Sequence, residues 1–588
     1  MKRYKRLAAL ALTLVVLLGL CGCSVREASG THLGTTLDSQ DFDAEESTGL
    51  RDKKLLYKQQ NNTEIVTMYL TVSSGSKAEN TDHTWEEINT YSAYDYDEWG
   101  VERYQVAGLL QIGDGKGGLI KDEVGYGQVA PNCTVQIRGQ SSSLNTQKNY
   151  KIRLKDNKGT WRGQQTIALN KHQGDGTRFR NKLGFDLLSD IDQTMSLRTT
   201  FVRLYVKDTT AGGSGKFEDY GIYTQVEQLN KTALEAHGLD KRGHLYKINI
   251  CEFYRYADVI KLKDDPTYDV KAFEEILEIK GDDDHSKLIR LLEKINDYTI
   301  PIETVLAEHF DMENLSYWMA FQLLMGNIDT QNRNFYLYSP LNSERWYILA
   351  WDNDGMLKRA ELALSGRNDY TGWESGISNY WGNVLFCRCL KSESYRAALD
   401  AAVEDLYATV LSPKNVAAYA EQYAALLKPL VYKGRDKLYM PVTAANYDSV
   451  VRSLSTEVAD NYRRYKDSLT VPQPFYIGVP TVSGTKMKLL WDASYDLAGQ
   501  PLTYTVEIGK DHLFGTTVFK KEGLAVPEVT FDALPAGQYF VRVMAFDTEG
   551  KSQYAFDYYV TEKGKTYGTR CFFVQADGSI AEDAYVED

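Results

Sequence analysis

The hydrophobic period of this chain changes twice, and that constrains its fold more than any other feature. From about Tyr57 to Tyr246 apolar residues recur at every second position. Val66-Thr67-Met68-Tyr69-Leu70-Thr71-Val72 and Thr134 to Arg138 show it, as do Tyr150, Ile152 and Leu154 alternating with Lys151 and Arg153. Successive side chains of an extended strand point to opposite faces, so this spacing predicts half-buried strands, with two more over Phe201 to Val206 and Gly221 to Val226. One helix is expected among them, capped by Thr177 and running through Leu187 and Leu188. From Asp269 to about Leu469 the period becomes 3.6, with stripes at Phe273-Ile276-Leu277 and Leu288-Leu291-Leu292-Ile295. A long apolar run follows Asp311, and three more helices are expected over Ser392 to Leu411, Pro413 to Leu430 and Tyr447 to Leu469. The one β-like stretch of this half, Phe335 to Asp352, reads as a hairpin. After Val471-Pro472-Gln473-Pro474 the alternation returns at Met487, Leu489 and Trp491 and again from Tyr539 to Ala545. The predicted class is α+β: a bilobal layout with a β-rich N-lobe and a helical C-lobe, then a small all-β sandwich.

The N-terminus sets the expected compartment. Lys2, Arg3, Lys5 and Arg6 precede an apolar run from Leu7 to Leu20. As a helix that run is ~21 Å long, short of the ~30 Å hydrocarbon core, so it reads as a signal-peptide core. Leu20-Cys21-Gly22-Cys23 resembles the bacterial lipobox, which implies lipidation of Cys23; ordinary secretory cleavage is the alternative. The expected divisions are a leader over 1–22, an acidic tether over 23–55 and the N-lobe over 56–265. The C-lobe is expected over 266–469, a sandwich resembling fibronectin type III over 474–570 and a tail over 571–588. The expected location is the extracellular face of a bacterial membrane, held through the lipid. A formal charge of −13 argues against nucleic-acid partners, which require a basic face. Cys133, Cys251, Cys387, Cys389 and Cys571 are scattered, and no His pair has metalloprotease spacing, so zinc chemistry is not expected.

The densest polar cluster runs from Gly326 to Phe335 and resumes at Trp351-Asp352-Asn353-Asp354-Gly355. Asp329 to Asn334 has the spacing D-x-x-x-x-N. There an Asp can take the proton of an attacking hydroxyl, while an Asn five residues on holds a metal bound to a nucleotide. Asp352, beyond the hairpin, would take the second metal position, and magnesium needs only such hard oxygen ligands plus water. In the β-rich half, Ile137 to Tyr150 is a Gly- and Ser-containing loop whose amides and hydroxyls could meet phosphate oxygens. Lys148 starts the next strand on the face of Tyr150 and Ile152 and could hold phosphates as a point charge.

Arg138-Gly139-Gln140-Ser141-Ser142 with Lys148-Asn149-Tyr150-Lys151-Ile152-Arg153-Leu154 resembles the R-G-N-S-S…K-K-S-Y-x-I-K-L run of the CotH family of spore-coat protein kinases. Arg180-Asn181-Lys182-Leu183, Tyr220 to Glu227 leading to Leu245-Tyr246-Lys247, and the two acidic stretches above match it in family order, over roughly 60 to 465. Gln140 and Gln147 depart from the family's Asn and first Lys. The resemblance implies an atypical protein-kinase-like fold that uses ATP and Mg to phosphorylate Ser or Thr of a partner protein. Asp329 would be catalytic, with Asn334, Asp352 and, secondarily, Asp354 on the metal. Arg138, Gly139, Ser141, Ser142, Lys148 and Glu227 would serve the nucleotide, Glu227 either pairing with Lys148 or lining the adenine pocket. Transfer of AMP from the same site is not distinguished from phosphorylation. The alternative is a catalytically inactive surface scaffold or adhesion protein that binds through its C-terminal sandwich.

Overall fold

A computed structural model describes residues 50–58, 63–366, 373–562 and 564–582. The leader, Cys23 and most of the acidic tether lie outside these residues. Among the described residues no helix is long and apolar enough to cross a membrane.

The period-two half closes into a barrel. Its strands are β1 (Ile65–Ser73), β2 (Val106–Gly113), β3 (Cys133–Arg138), β4 (Asn149–Leu154), β5 (Thr166–Asn170), β6 (Thr199–Asp208) and β7 (Phe217–Glu227), in the order β1-β2-β3-β4-β5-β7-β6. Neighbours are antiparallel except β1 and β6, which run parallel from Ile65↔Phe201 to Val72↔Asp208. Alternate residues of every strand, such as Met68, Leu70, Val135, Ile137, Ile152, Leu169 and Leu204, fill the interior. Each such side chain taken out of water contributes roughly 1.5–3 kcal/mol. Two short helices, Trp85–Thr90 and Ala93–Trp99, cover one end, each opened by a capping box (Thr84 with Glu87, Ser92 with Asp95). Trp85 stacks on Tyr150 with ring centroids 5.0 Å apart.

The outer face of β6 and β7 belongs to a different core. Phe201 and Val226 pack with Leu183 and Leu187 of the helix Arg180–Ser189, continuous with the helical half. The helix begins later than its expected cap: Thr177 bonds Asp175, and the Asp175 carboxylate takes the Arg180 amide at 2.9 Å. Burial of Arg180 against Asp175 and Glu361 explains why the start shifts to where that ion pair forms.

In the helical half a four-stranded sheet, β8 (His244–Ile248), β9 (Leu277–Ile279), β10 (Phe335–Ser339) and β11 (Tyr347–Ala350), has the order β11-β10-β8-β9. Met312–Met325 lies behind it and is apolar almost all round, as a helix inside a core must be. Asp311 caps its start through the Asn314 amide at 2.7 Å, and Gly326 ends it in the left-handed region (φ 59°), where a Cβ would strike the Asn461 amide. The three later helices form as Glu393–Ala408, Pro413–Val431 and Tyr447–Ser468.

From Thr481 to Glu582 the described elements are strands, in two main sheets that share a core of Ile477, Leu489, Val506, Phe531, Val541 and Phe572. Thr569–Val574 crosses the expected boundary of a tail at 571 and pairs with Gly537–Phe546, so its backbone bonds tie it to the sheet. Phe556 and Tyr567 pack into the core of the helical half. The whole is a mixed α+β structure, with Cys133, Cys251, Cys387, Cys389 and Cys571 outside any disulfide.

Candidate active site

The hairpin of β10 and β11 builds the site. Its antiparallel register pairs Phe335 with Ala350, so the residues just before β10 and just after β11 emerge at one end. Asp329 sits in the turn Ile328–Thr330, and Asn334 donates its side-chain N–H to Asp329 Oδ2 at 2.8 Å and to the Asp329 carbonyl at 3.2 Å. Asn334 (φ 62°) and Asp352 (φ 55°) are both left-handed, a strained backbone for residues with a Cβ and one that clusters at functional sites.

The turn after Asp352 is seated against the helix Arg180–Ser189. A Cβ on Gly184 would lie 2.6 Å from that of Asn353, so only glycine admits the turn. The Asn353 amide donates to Asn181 Oδ1 at 3.0 Å. That bond turns the Asn181 NH₂ toward His172 Nε2, 3.2 Å away. Nε2 is therefore the acceptor, which leaves the proton on Nδ1 to donate to Asp354 Oδ2 at 3.3 Å.

Burial, and after it the crowding of carboxylates, sets the electrostatics. Burial, then the charges of Asp354 and Asp329, push Asp352 up to about 7 against the pull of His172 and Arg138. Asp329, whose side chain is 61% exposed, is also raised, by the partial desolvation of the surrounding protein and by Asp354, with Arg333, Asn334 and Lys358 opposing. For Asp354 burial works against the charge, but the His172 hydrogen bond and Lys358 prevail and hold it below the usual carboxylate range. A cation bound among these acids would relieve the repulsion that raises Asp352 and Asp329. Two carboxylates and an amide oxygen suit magnesium, which retains water and shares phosphate oxygens. Among the described residues no three His, Cys, Asp or Glu side chains form a ready-made metal cage, so further ligands would have to come from water and phosphate.

Of the other expected residues, Arg138 comes closest to the acids. Its guanidinium donates to Asn170 Oδ1 and interacts electrostatically with Asp352 and Tyr336. Gly139 (φ 90°) starts the adjoining turn, where a Cβ would strike Ser142 Oγ. Ser142 Oγ accepts from Asn149 Nδ2 at 3.0 Å, and Ser141 opens the 3-10 turn Ser141–Leu144. Lys148 is directed elsewhere. It lies on the barrel-interior face with Tyr150 and Ile152, and its ammonium donates to the Ser143 carbonyl at 2.6 Å. Lys151, on the opposite face, has Lys280, Arg153, Arg138 and Glu278 as charged neighbours. Glu227 neither pairs with Lys148 nor reaches the acids. It binds Arg198 at 2.5 Å and His237 at 3.0 Å, and His237 binds Asp52 at 2.7 Å, a network closed within itself.

His172, Lys151 and Tyr336 escaped the sequence reading. The Tyr336 hydroxyl is buried without a hydrogen-bond partner, with Glu278, Arg138 and Asp352 as its charged neighbours. For Lys151 the strand alternation was a usable signal; His172 carries no spacing motif.

The body is α+β, with the acids and the amide gathered around one hairpin. The family model described as CotH kinase protein matches residues 135–465, more than half of the chain, and the chain belongs to that family. Among curated proteins it is similar to inner spore coat protein H of Bacillus subtilis (strain 168), 24% identical over 293 residues that cover 48% of this chain and 75% of that protein.

Proposed function

We propose that the chain is an exported kinase that phosphorylates Ser or Thr of a partner protein, with the barrel as N-lobe, the helical half as C-lobe and the final strands as a fibronectin type III-like sandwich. The convergence of Asp329, Asn334, Asp352 and Asp354 at one end of the β10–β11 hairpin carries this reading. Bound ATP and Mg would supply the phosphoryl group and neutralise its charge. Asn334 and Asp352, with Asp354, would hold the metal, and Asp329 would orient a hydroxyl and accept its proton. Arg138 stands where phosphate oxygens would approach Asp352. Lys148 serves by holding the Ser143 carbonyl, so that the turn begun by Gly139 keeps its shape.

The test uses the chain from Ser24 with ATP and magnesium. A magnesium-dependent rise in melting midpoint is expected for wild type, lost in Asp352→Ala and kept in Asp329→Ala. Label transfer from γ-labelled ATP to casein or to the chain itself should vanish in both variants. Equal labelling by wild type and Asp329→Ala would sink the assignment, and no shift at millimolar ATP would favour the scaffold. The lipid anchor is part of the same proposal: radiolabelled palmitate should enter the wild type in cells and be absent from Cys23→Ser.

A further inference from the structure

Residues 328–331 of the loop that carries Asp329 are held from one side by a single neighbouring segment. Asn379 donates its side-chain N–H to the Ile328 carbonyl at 3.0 Å, and Asn383 donates to the Gln331 carbonyl at 2.9 Å. Between them the Tyr380 hydroxyl meets Thr330 Oγ1 at 2.8 Å. Asn379, Tyr380 and Asn383 are each no more than 3% exposed, so losing any of these bonds would leave a shielded polar group unsatisfied.

The other side of the same segment faces the C-terminal strands and the linker before them. Ser378 Oγ donates to Gln473 Oε1 at 3.1 Å and accepts from Gln553 Nε2 at 3.4 Å. Glu374 pairs with Lys565 at 2.7 Å and takes the Tyr567 hydroxyl, while Trp373 meets Phe556 edge-on at 5.0 Å. The alternation follows from local geometry. Gly376–Tyr380 is a 3-10 turn, in which successive residues point about 120° apart, so Ser378 and Asn379 reach opposite partners.

We propose that the C-terminal strand unit is part of the machinery that positions Asp329, acting through residues 373–383 as a two-sided brace, and is not a separable binding module. The proposal rests on the reading of Asp329 as the proton acceptor. Asn379, Tyr380 and Asn383 are its positioning residues, and Gln473, Gln553 and Lys565 are the footing on which they stand.

The experiment loosens the brace from the outer side in the full chain, with Gln553→Ala and the milder Lys565→Ala, whose ammonium is partly exposed. Asn379→Ala cuts the inner side. Each variant is read by amide hydrogen exchange of residues 328–332, by kcat and by the ATP–magnesium melting shift. Both outer variants should speed exchange in 328–332 but not in the barrel strands. They should lower kcat on the order of tenfold to a hundredfold with the melting shift kept, as expected when a catalytic group is displaced by a fraction of an ångström to an ångström. Asn379→Ala should reproduce the pattern. Faster loop exchange in a protein whose wild type transfers no label would keep the brace and overturn the kinase reading. A fall in kcat with loop exchange unchanged would overturn the brace and leave the kinase reading standing.

Discussion

One imidazole, His172, helps one of the neighbouring acids, Asp354, to stay charged. Its Nδ1–H supports Asp354 while Asp352 carries the cost of the crowding. Replacing it by alanine should weaken magnesium–ATP binding on the order of tenfold or more, as loss of an outer support does at metal sites, measured by calorimetry on wild type and His172→Ala; unchanged affinity would refute it. A second histidine governs stability. His237, between Asp52 and Glu227 with Tyr57 and Arg198 in the same network, is raised from 6.5 to about 9, its two carboxylates outweighing burial. A folded-state value above the unfolded one stabilises fully below pH 6.5 and is lost as pH rises through about 9. The urea midpoint should therefore fall across that window, and the fall should flatten in His237→Gln; a midpoint that rises from pH 6.5 to 9 would contradict it. Asp329, Asn334 and Asp352 were legible because their chemistry lies in local spacing. His172 was not, since its partner is 182 positions away. Alternation placed Lys148 with Tyr150 and Ile152, but it cannot say whether that face lines a cleft or a barrel.

Among elements, the helix Arg180–Ser189 does more than fill space. It presents Asn181 and Gly184 to the turn after Asp352. Gly184→Val would drive two methyls into Asn353, so a loss of about 1–3 kcal/mol is expected, together with a weaker ATP–magnesium melting shift. Calorimetric melting with and without nucleotide checks both; a wild-type shift in that variant would show that the turn is seated some other way. The long helices were readable from period because each spans several turns, as Pro413–Val431 and Tyr447–Ser468 do. Trp85–Thr90 and Ala93–Trp99 are too short for a period, yet Thr84 with Glu87 and Ser92 with Asp95 spell capping boxes that could have revealed them.

At the scale of the molecule, the family match opens at 135, inside β3, but the barrel also needs β1 and β2. A chain trimmed to 135–465 would leave β3 and β6 as bare edges over an open apolar interior. It should aggregate on a sizing column and show no cooperative melt, whereas a melt near the full-length midpoint would prove the two strands dispensable. The succession of a β-rich half and a helical half was visible in the change of period; closure was not, because it depends on β1 meeting β6 in parallel. That closure also bears on the order of folding. Ile65 leaves the ribosome early, but its partner, Phe201, follows only after four intervening strands. The long loop between them adds to the entropic cost of the meeting, so the sequence neighbours β1 to β5 can pair first and the seam between β1 and β6 closes the barrel late.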